Sequence, residues 1–253
     1  LANRFRRVLS PARAYAWTRR KNVTTQALFY RLCRARPELM KRVLVRGVAR
    51  QLPAGYDVER HFTPAYGPWD QRLCFTPGGD LFRAISAGRV SVVTDTIDTF
   101  TEHGIRLASG DELVADIVVS ATGLEIEAMG GAVVDVDGAP VVVGERVVYK
   151  SAMLSGVPNL VFVFGYTNAS WTLKVDLVCE WFCRCLSEME RRGADVACPR
   201  EPDPAMPTAP MVGLQAGYVE RSVDRMPRQG TGPWRVATSH RDDERRFRRD
   251  PID

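Results

Sequence analysis

The sequence predicts an α/β fold with basic helices at its N-terminus, a β-meander and a late strand–helix unit. Three observations predict it. An apolar run within residues 112–124 ends in a turn of small residues. A second apolar run, residues 160–164, precedes a helical pattern over residues 173–192. The first 50 residues hold fourteen Arg or Lys and a single acid, Glu38, although the whole chain has a net charge of only +5.

The basic N-terminal stretch predicts two amphipathic helices, over residues 11–35 and 37–51. Pro11 and Pro37 stand where the first turn of a helix accepts proline, and apolar residues recur at helical spacing. Packing on the rest of the protein is the first interpretation of these helices. Binding to an anionic membrane surface ranks second, and nucleic acid is not expected because no nucleic-acid motif accompanies the charge.

Residues 52–88 are rich in Pro, Gly and aromatic residues. They predict a structured loop region, and loops often carry binding and catalytic residues. Within it, Trp69, Asp70 and Arg72 place a guanidinium near an aromatic ring and a carboxylate. A guanidinium is a permanently charged donor that can stabilise an oxyanion without a protonation step of its own. The alternative is a surface arginine paired with Asp70.

Residues 89–124 predict a β-meander. Residues 117–119 are consecutive β-branched residues, as expected for a strand covered on both faces in a parallel or mixed sheet. At the exit of this strand, Ala121, Thr122 and Gly123 leave room for a backbone or a cofactor to approach closely. An ordinary core strand followed by a turn is the alternative.

The late strand–helix unit begins with residues 160–164, which predict a buried strand. Thr167, Asn168 and Ser170 follow it and can cap the next helix. Polar groups at a helix N-terminus form a site that favours anions. Plain helix capping, with Trp171 packed beside it, is the alternative.

Two shorter signals complete the chain. Asp137-Gly138 predicts the turn of a hairpin between residues 132 and 143, and Gly193 predicts the end of the long helix. Beyond that glycine, residues 194–253 are rich in proline and charge. They predict an irregular wrap that ends in a frayed tail.

The composition predicts a cytoplasmic protein. No apolar run approaches the ~20 residues of a membrane span, and no apolar segment follows the basic start as in a signal peptide. The six cysteines have neither metal-ligand spacing nor a disulfide-framework density, so no metal site is expected. Cys179 and Cys183 are four residues apart on a predicted helix and are interpreted as reduced thiols that face the core; a pair of thiolate metal ligands is the alternative.

Asp116 followed by Ala121-Thr122-Gly123 resembles the late D-x4-A-T-G signature of flavin-containing and Baeyer–Villiger monooxygenases, the class B flavoprotein monooxygenases. Residues 61–72 and 165–174 extend the resemblance, which covers nearly the whole chain. It implies the C-terminal part of a flavoprotein with two dinucleotide-binding domains and with FAD and NADPH as cofactors. The Gly-x-Gly-x-x-Gly fingerprints of that family are absent from this sequence.

The resemblance also implies a division into domains. Residues 1–115 would be the C-terminal part of the NADPH-binding domain with a helical insertion. Residues 116–193 would be the returning part of the FAD-binding domain, and residues 194–253 the irregular C-terminal wrap and tail.

The activity that the resemblance implies is insertion of one oxygen atom from O2 into a ketone, or oxidation of a sulfur or nitrogen centre, through a C4a-peroxyflavin. Arg72 matches the active-site arginine, and Asp70 would orient it. The Ala-Thr-Gly element would form the domain hinge beside the cofactor. Thr167, Asn168 and Ser170 would face the pyrimidine edge of the flavin, and Trp171 would line the substrate cavity.

The substrate implied is a small ketone, thioether or thioamide. The competing hypothesis is a truncated, non-catalytic fragment that acts, if at all, as a basic surface-associating remnant. In either case the core of a severed FAD-binding domain would be exposed, so self-association is expected.

Overall fold

A computed structural model describes residues 2–200 and 202–252. The chain forms two compact units: Leu1–Arg31 together with Glu125–Asp253, and Leu32–Leu124. The helices are α1 Ala2–Arg6, α2 Pro11–Ala35, α3 Pro37–Ala49, α4 Val58–Phe62, α5 Asp80–Ser86, α6 Thr172–Arg192, α7 Gly217–Glu220 and α8 His240–Arg249. The strands are β1 Ile97–Phe100, β2 Gly104–Leu107, β3 Glu112–Val114, β4 Asp135–Val136, β5 Ala139–Pro140, β6 Val148–Tyr149, β7 Met153–Leu154, β8 Ala209–Pro210 and β9 Arg228–Gln229. The protein is therefore mixed helix and sheet, and each of these sheets is antiparallel.

The first unit is built on the long helix α6. Leu173, Leu177 and Trp181 recur every four residues and are buried, so one face of the helix lies in the core. Helix α8 packs against this face, with the rings of Trp181 and Phe247 5.9 Å apart at 78°. Helix α6 ends at Gly193, whose φ of 61° is the left-handed conformation predicted for it.

The second unit, Leu32–Leu124, contains helices α3 to α5 and the sheet β1-β2-β3. Strand β2 pairs with both neighbours, so this part of the predicted meander is confirmed. Few side chains of this unit are buried; they include Cys33, Ile85 and Leu107. The predicted N-terminal helices are also confirmed, because α2 and α3 match their expected bounds to within two residues.

The strand predicted around the Ala-Thr-Gly element is wrong beyond Val114. Residues 116–124 have no regular secondary structure, and no strand of the described residues pairs with them. Ile117 is 82% exposed and Val119 is 81% exposed. A central strand needs a neighbouring backbone for its hydrogen bonds, and an apolar run without one cannot form a sheet.

The second predicted strand, residues 160–164, is also not formed, although its backbone is held locally by a bond from Phe162 N to Ala152 O at 2.8 Å. The hairpin predicted at Asp137-Gly138 is confirmed as β4 and β5. No helix among residues 2–200 and 202–252 is long and apolar enough to cross a membrane.

Two further expectations are corrected by the packing of α6. Residues 240–249 form helix α8 rather than a frayed tail, because Asp243 and Phe247 are buried against α6. Cys179 and Cys183 are exposed on α6, whereas Cys185 is buried. The core face of the helix follows its large apolar residues, so the two thiols lie outside it.

Candidate active site

The first candidate site residues lie on a tight turn in the second unit. The backbone N–H of Asp70 donates to Gly67 O at 3.2 Å, which closes the turn around Pro68 and Trp69. Trp69 has a φ of 71°, in the position of a proline-started turn where glycine is usual. Such a conformation costs a bulky residue about 1–3 kcal/mol and persists only where surrounding contacts enforce it.

Contacts from the end of α2 enforce this conformation. The Trp69 side chain is buried and interacts with the Cys33 thiol, and burial raises the pKa of that thiol. Asp70 accepts from Gly67 N at 2.9 Å and pairs with Arg34 at 2.6 Å. The hydrogen bond from Arg34, followed by that from Gly67 N, lowers the pKa of Asp70 below its usual value. The turn is thus held in place by the contacts of both Trp69 and Asp70.

Arg72 lies just after this turn, two residues beyond Asp70. Among the residues that the structure describes, none forms an ion pair with Arg72, because Asp70 is already engaged by Arg34. Asp70 therefore does not orient the Arg72 side chain by direct pairing; any influence passes through the backbone of the turn. An arginine beside a strained turn, with its charge uncompensated, is available to a ligand.

Arg72 lines a cavity of about 780 Å³ that lies wholly within the second unit. This volume is in the range of small-molecule sites. One part of the cavity wall is aromatic and includes Trp69, Phe62 and Phe82. Aliphatic side chains of α3 line another part. Arg72 is itself exposed to solvent and is one of the polar residues that line this largely apolar concave surface.

The Ala-Thr-Gly element lies at the end of the second unit. Ala121, Thr122 and Gly123 are all exposed, and the boundary between the two units follows directly, between Leu124 and Glu125. Gly123 has a φ of 120°, which a residue with a side chain rarely adopts. These residues stay predictions for a hinge and a cofactor contact.

The other candidates lie in the first unit, on the turn before α6. Gly165 is required there, because a Cβ atom would overlap the indole of Trp171. Trp171 packs on Phe164 with ring centroids 5.3 Å apart, yet 45% of it is exposed. Ser170 and Thr172 hydrogen-bond to each other at 2.8 Å rather than capping the helix by a side chain. The expected helix capping by Ser170 is therefore not found.

Asn168 is held by two hydrogen bonds, and one of its acceptors has no partner. Its Nδ2 donates to Thr238 O at 3.1 Å, and its backbone carbonyl accepts from Gln26 Nε2 at 3.2 Å. Its Oδ1 is buried without a hydrogen-bond partner. An unpaired buried acceptor costs free energy, so this atom is a ready contact for a ligand N–H. Thr167, beside it, is half-buried.

A buried ionic cluster, which the sequence did not indicate, supports this turn. Asp243 of α8 pairs with Lys174 of α6 at 2.5 Å and accepts from the Tyr166 hydroxyl at 2.7 Å. Lys174 is 1% exposed and Asp243 is fully buried. Burial lowers the pKa of Lys174, and burial followed by the Asp243 charge raises the pKa of Tyr166. A lysine among the core positions of an amphipathic helix was the available signal for a buried partner.

Comparison with known proteins defines the class. The chain is 48% identical over 254 residues to an FAD-containing monooxygenase, EthA, of Mycobacterium tuberculosis, covering all of this chain and 52% of the relative. It is 46% identical to the putative FAD-containing monooxygenase MymA of the same species, over 94% of this chain and 48% of the relative. It is 43% identical to the probable FAD-binding monooxygenase AlmA of Acinetobacter baylyi, over 94% of this chain and 48% of the relative.

The class that this similarity points to is the FAD-containing monooxygenases. Within that class the chain matches the C-terminal part of proteins such as EthA, and it spans about half the length of the curated relatives it matches. No family model matches the chain, and no solved structure matches it.

Proposed function

We propose that this chain is the C-terminal portion of an FAD-dependent, NADPH-using monooxygenase that acts in the cytoplasm on a small ketone, thioether or thioamide. One observation carries the proposal: a chain related along its whole length to FAD-containing monooxygenases has Arg72, which is exposed and without an ion-pair partner among the described residues, lining a mainly apolar cavity. The named relatives support a flavin monooxygenase, and the oxygenation of ketones is our extension.

The residues before α6 fit the ring edge of a flavin. Asn168 Oδ1 is a buried acceptor without a partner, as a ring N–H would require, and the N-terminus of α6 favours the negative charge of a reduced ring. Thr167 and Ser170 add hydroxyl groups on the same turn. Bound FAD would supply the reduction of O2 and the transfer of one oxygen atom, which no side chain can perform. Ala121, Thr122 and Gly123 would lie beside the cofactor at the hinge.

The role proposed for Arg72 is electrostatic. Its guanidinium would donate hydrogen bonds to the substrate oxygen on which negative charge develops, and would hold the nicotinamide of NADPH. Because the turn before it is fixed by Arg34 and Cys33, little reorganisation is needed when charge develops. Trp171, in the first unit, would line a substrate site. The free thiols of the described residues agree with a reducing compartment.

A chimera tests the proposal. Residues 1–253 replace the matching half of the EthA relative, and NADPH oxidation is measured together with the oxygenated product of a ketone and a thioether. Arg72→Ala should lower product formation about 100-fold or more, the magnitude typical of a lost oxyanion donor. Arg83→Ala, an exposed arginine paired with Asp80, is the matched control.

The visible absorption of retained flavin shows whether each chimera is folded and loaded. A flavin-loaded Arg72→Ala chimera that oxygenates the ketone at the unsubstituted rate would remove Arg72 from the mechanism. A loaded, unsubstituted chimera that forms no oxygenated product from either substrate would refute the function itself.

A further inference from the structure

The cavity of the second unit is organised along one face of α3. Leu44, Val45 and Val48 line it, at the three- and four-residue spacing that places side chains on the same side of a helix. Lys41 lines it one turn earlier, at the N-terminal end of this face. With a rise of 1.5 Å per residue, Lys41 and Val48 are about 10 Å apart along the helix axis. The wall thus changes from cationic to aliphatic along its length.

The charge of the cavity has one sign. Lys41, Arg60 and Arg72 line it, and none of its described lining residues is Asp or Glu. Arg60 donates to Thr94 O at 3.4 Å and interacts with Asp95, so its charge is partly balanced. Lys41 forms no ion pair among the described residues. Lys41 is half-buried as a residue, and a lysine beside an apolar wall favours an anionic group on an apolar molecule.

Gly47 gives this cavity unused space. It lines the cavity from within α3, and a Cβ atom built on it would meet nothing within 4 Å. A side chain at this position would therefore enter open volume rather than displace protein atoms. This makes Gly47 a position where the cavity can be filled without disturbing the fold.

We propose that this cavity binds an amphipathic carboxylate, with its apolar body along Leu44, Val45 and Val48 and its carboxylate at Lys41. The substrate class is then an apolar molecule that carries a carboxylate in addition to the ketone or sulfur centre that is oxidised. This assignment of the substrate rests on the function proposed above. The binding itself requires neither flavin nor NADPH.

The test uses the whole chain and a fluorescent probe, dansyl-labelled undecanoic acid, whose emission increases in an apolar site. Decanoate, decanol and decylamine then compete for the site, because they share one apolar chain and differ only in the polar end. We expect decanoate to compete best, and Lys41→Gln to weaken probe binding by about tenfold. Arg42→Gln is the matched control, since Arg42 is exposed, lies next to Lys41 and does not line the cavity.

Filling the cavity gives an independent readout. Gly47→Leu should abolish probe binding, whereas Gly47→Ala should retain it, with unchanged circular dichroism in both. Equal competition by decanol and decanoate, unchanged binding in Lys41→Gln, an equal loss in Arg42→Gln, or normal binding in Gly47→Leu would each overturn the proposal. Displacement of the probe by NADPH but not by decanoate would overturn it in favour of the nucleotide.

The two proposals fail separately. If the probe binds as expected and the loaded chimera forms no product, the monooxygenase function fails and the carboxylate site remains without an assigned reaction. If the chimera is active and the probe does not bind, only the carboxylate proposal is refuted.

Discussion

Replacing Asp243 tests how strongly the buried ionic cluster holds α8 on α6. Asp243→Asn keeps the shape of the side chain but leaves the Lys174 ammonium buried without a counter-charge. Removing one partner of a buried pair typically costs about 3–5 kcal/mol. Lys174 can limit this cost by losing its proton, which from an ordinary pKa of 10.5 costs about 5 kcal/mol at pH 7. We therefore expect a loss of about 3–5 kcal/mol in the free energy of unfolding.

Equilibrium unfolding in guanidinium chloride, followed by circular dichroism and by the fluorescence of Trp181 and the other tryptophans, measures this loss. Asp242→Asn is the matched control: Asp242 pairs with Arg235 at 2.6 Å at the surface, and such a pair is worth at most about 1 kcal/mol. The double variant Lys174→Met/Asp243→Asn should be more stable than Asp243→Asn alone, because the Lys174 charge is no longer buried without its partner.

The pH dependence of this loss in unfolding free energy tests whether Lys174 and Asp243 form a charged pair. In the Asp243→Asn variant the pKa of folded Lys174 lies further below its unfolded value than it does in the parent chain. At a pH between the folded and unfolded pKa values, the unfolded state therefore binds one proton more than the folded state, on Lys174. The loss relative to the parent chain should therefore shrink as the pH rises from 7 towards 10.5, the ordinary lysine value. A loss below about 1 kcal/mol, or a loss that is independent of pH, would refute a charged Lys174–Asp243 pair.

Two further predictions concern the second unit. The pKa of Asp70 is lowered by Arg34 and Gly67 N–H, so its contribution is present above the unfolded value of 3.8 and is lost as the pH falls below it. Asp70→Asn should thus flatten the acid side of a stability–pH profile measured by thermal unfolding, and an unchanged profile would contradict the Arg34 pairing. Val119→Ser should lower self-association in sedimentation velocity, because Val119 is 81% exposed, whereas Val114→Ser on β3 is the control for a general loss of apolar surface. An equal effect of both changes would argue against residues 116–124 as the associating surface.

Helices α2, α3 and α6 were predictable because their signals are local. Pro11 and Pro37 begin α2 and α3, and Gly193 ends α6, in each case because a residue's own backbone preference decides the boundary. The hairpin at Asp137-Gly138 follows from the same kind of preference. These features depend on neighbours a few residues apart, which a sequence displays directly.

The two apolar runs do not form the predicted strands, and the physical reason is the lack of a partner strand among the described residues. The β-branched residues 117–119 and the apolar residues 160–164 favour strands, but a strand also needs a partner backbone. The sequence pattern shows that a segment prefers the extended conformation, but it does not show whether a neighbouring strand will pair with it. Where no described strand lies alongside, Ile117 and Val119 stay exposed and the preference is not realised.

The candidate site shows the same division. The sequence by itself determined that Arg72 follows Trp69 and Asp70 in a loop, and that polar residues precede a long helix. Only the tertiary structure decided that Asp70 pairs with Arg34, 36 residues away, and that Lys174 pairs with Asp243, 69 residues away. A charged side chain takes whichever opposite charge the folded chain brings within reach. That choice depends on the path of the whole backbone, whereas a helix start or a turn depends on a few consecutive residues.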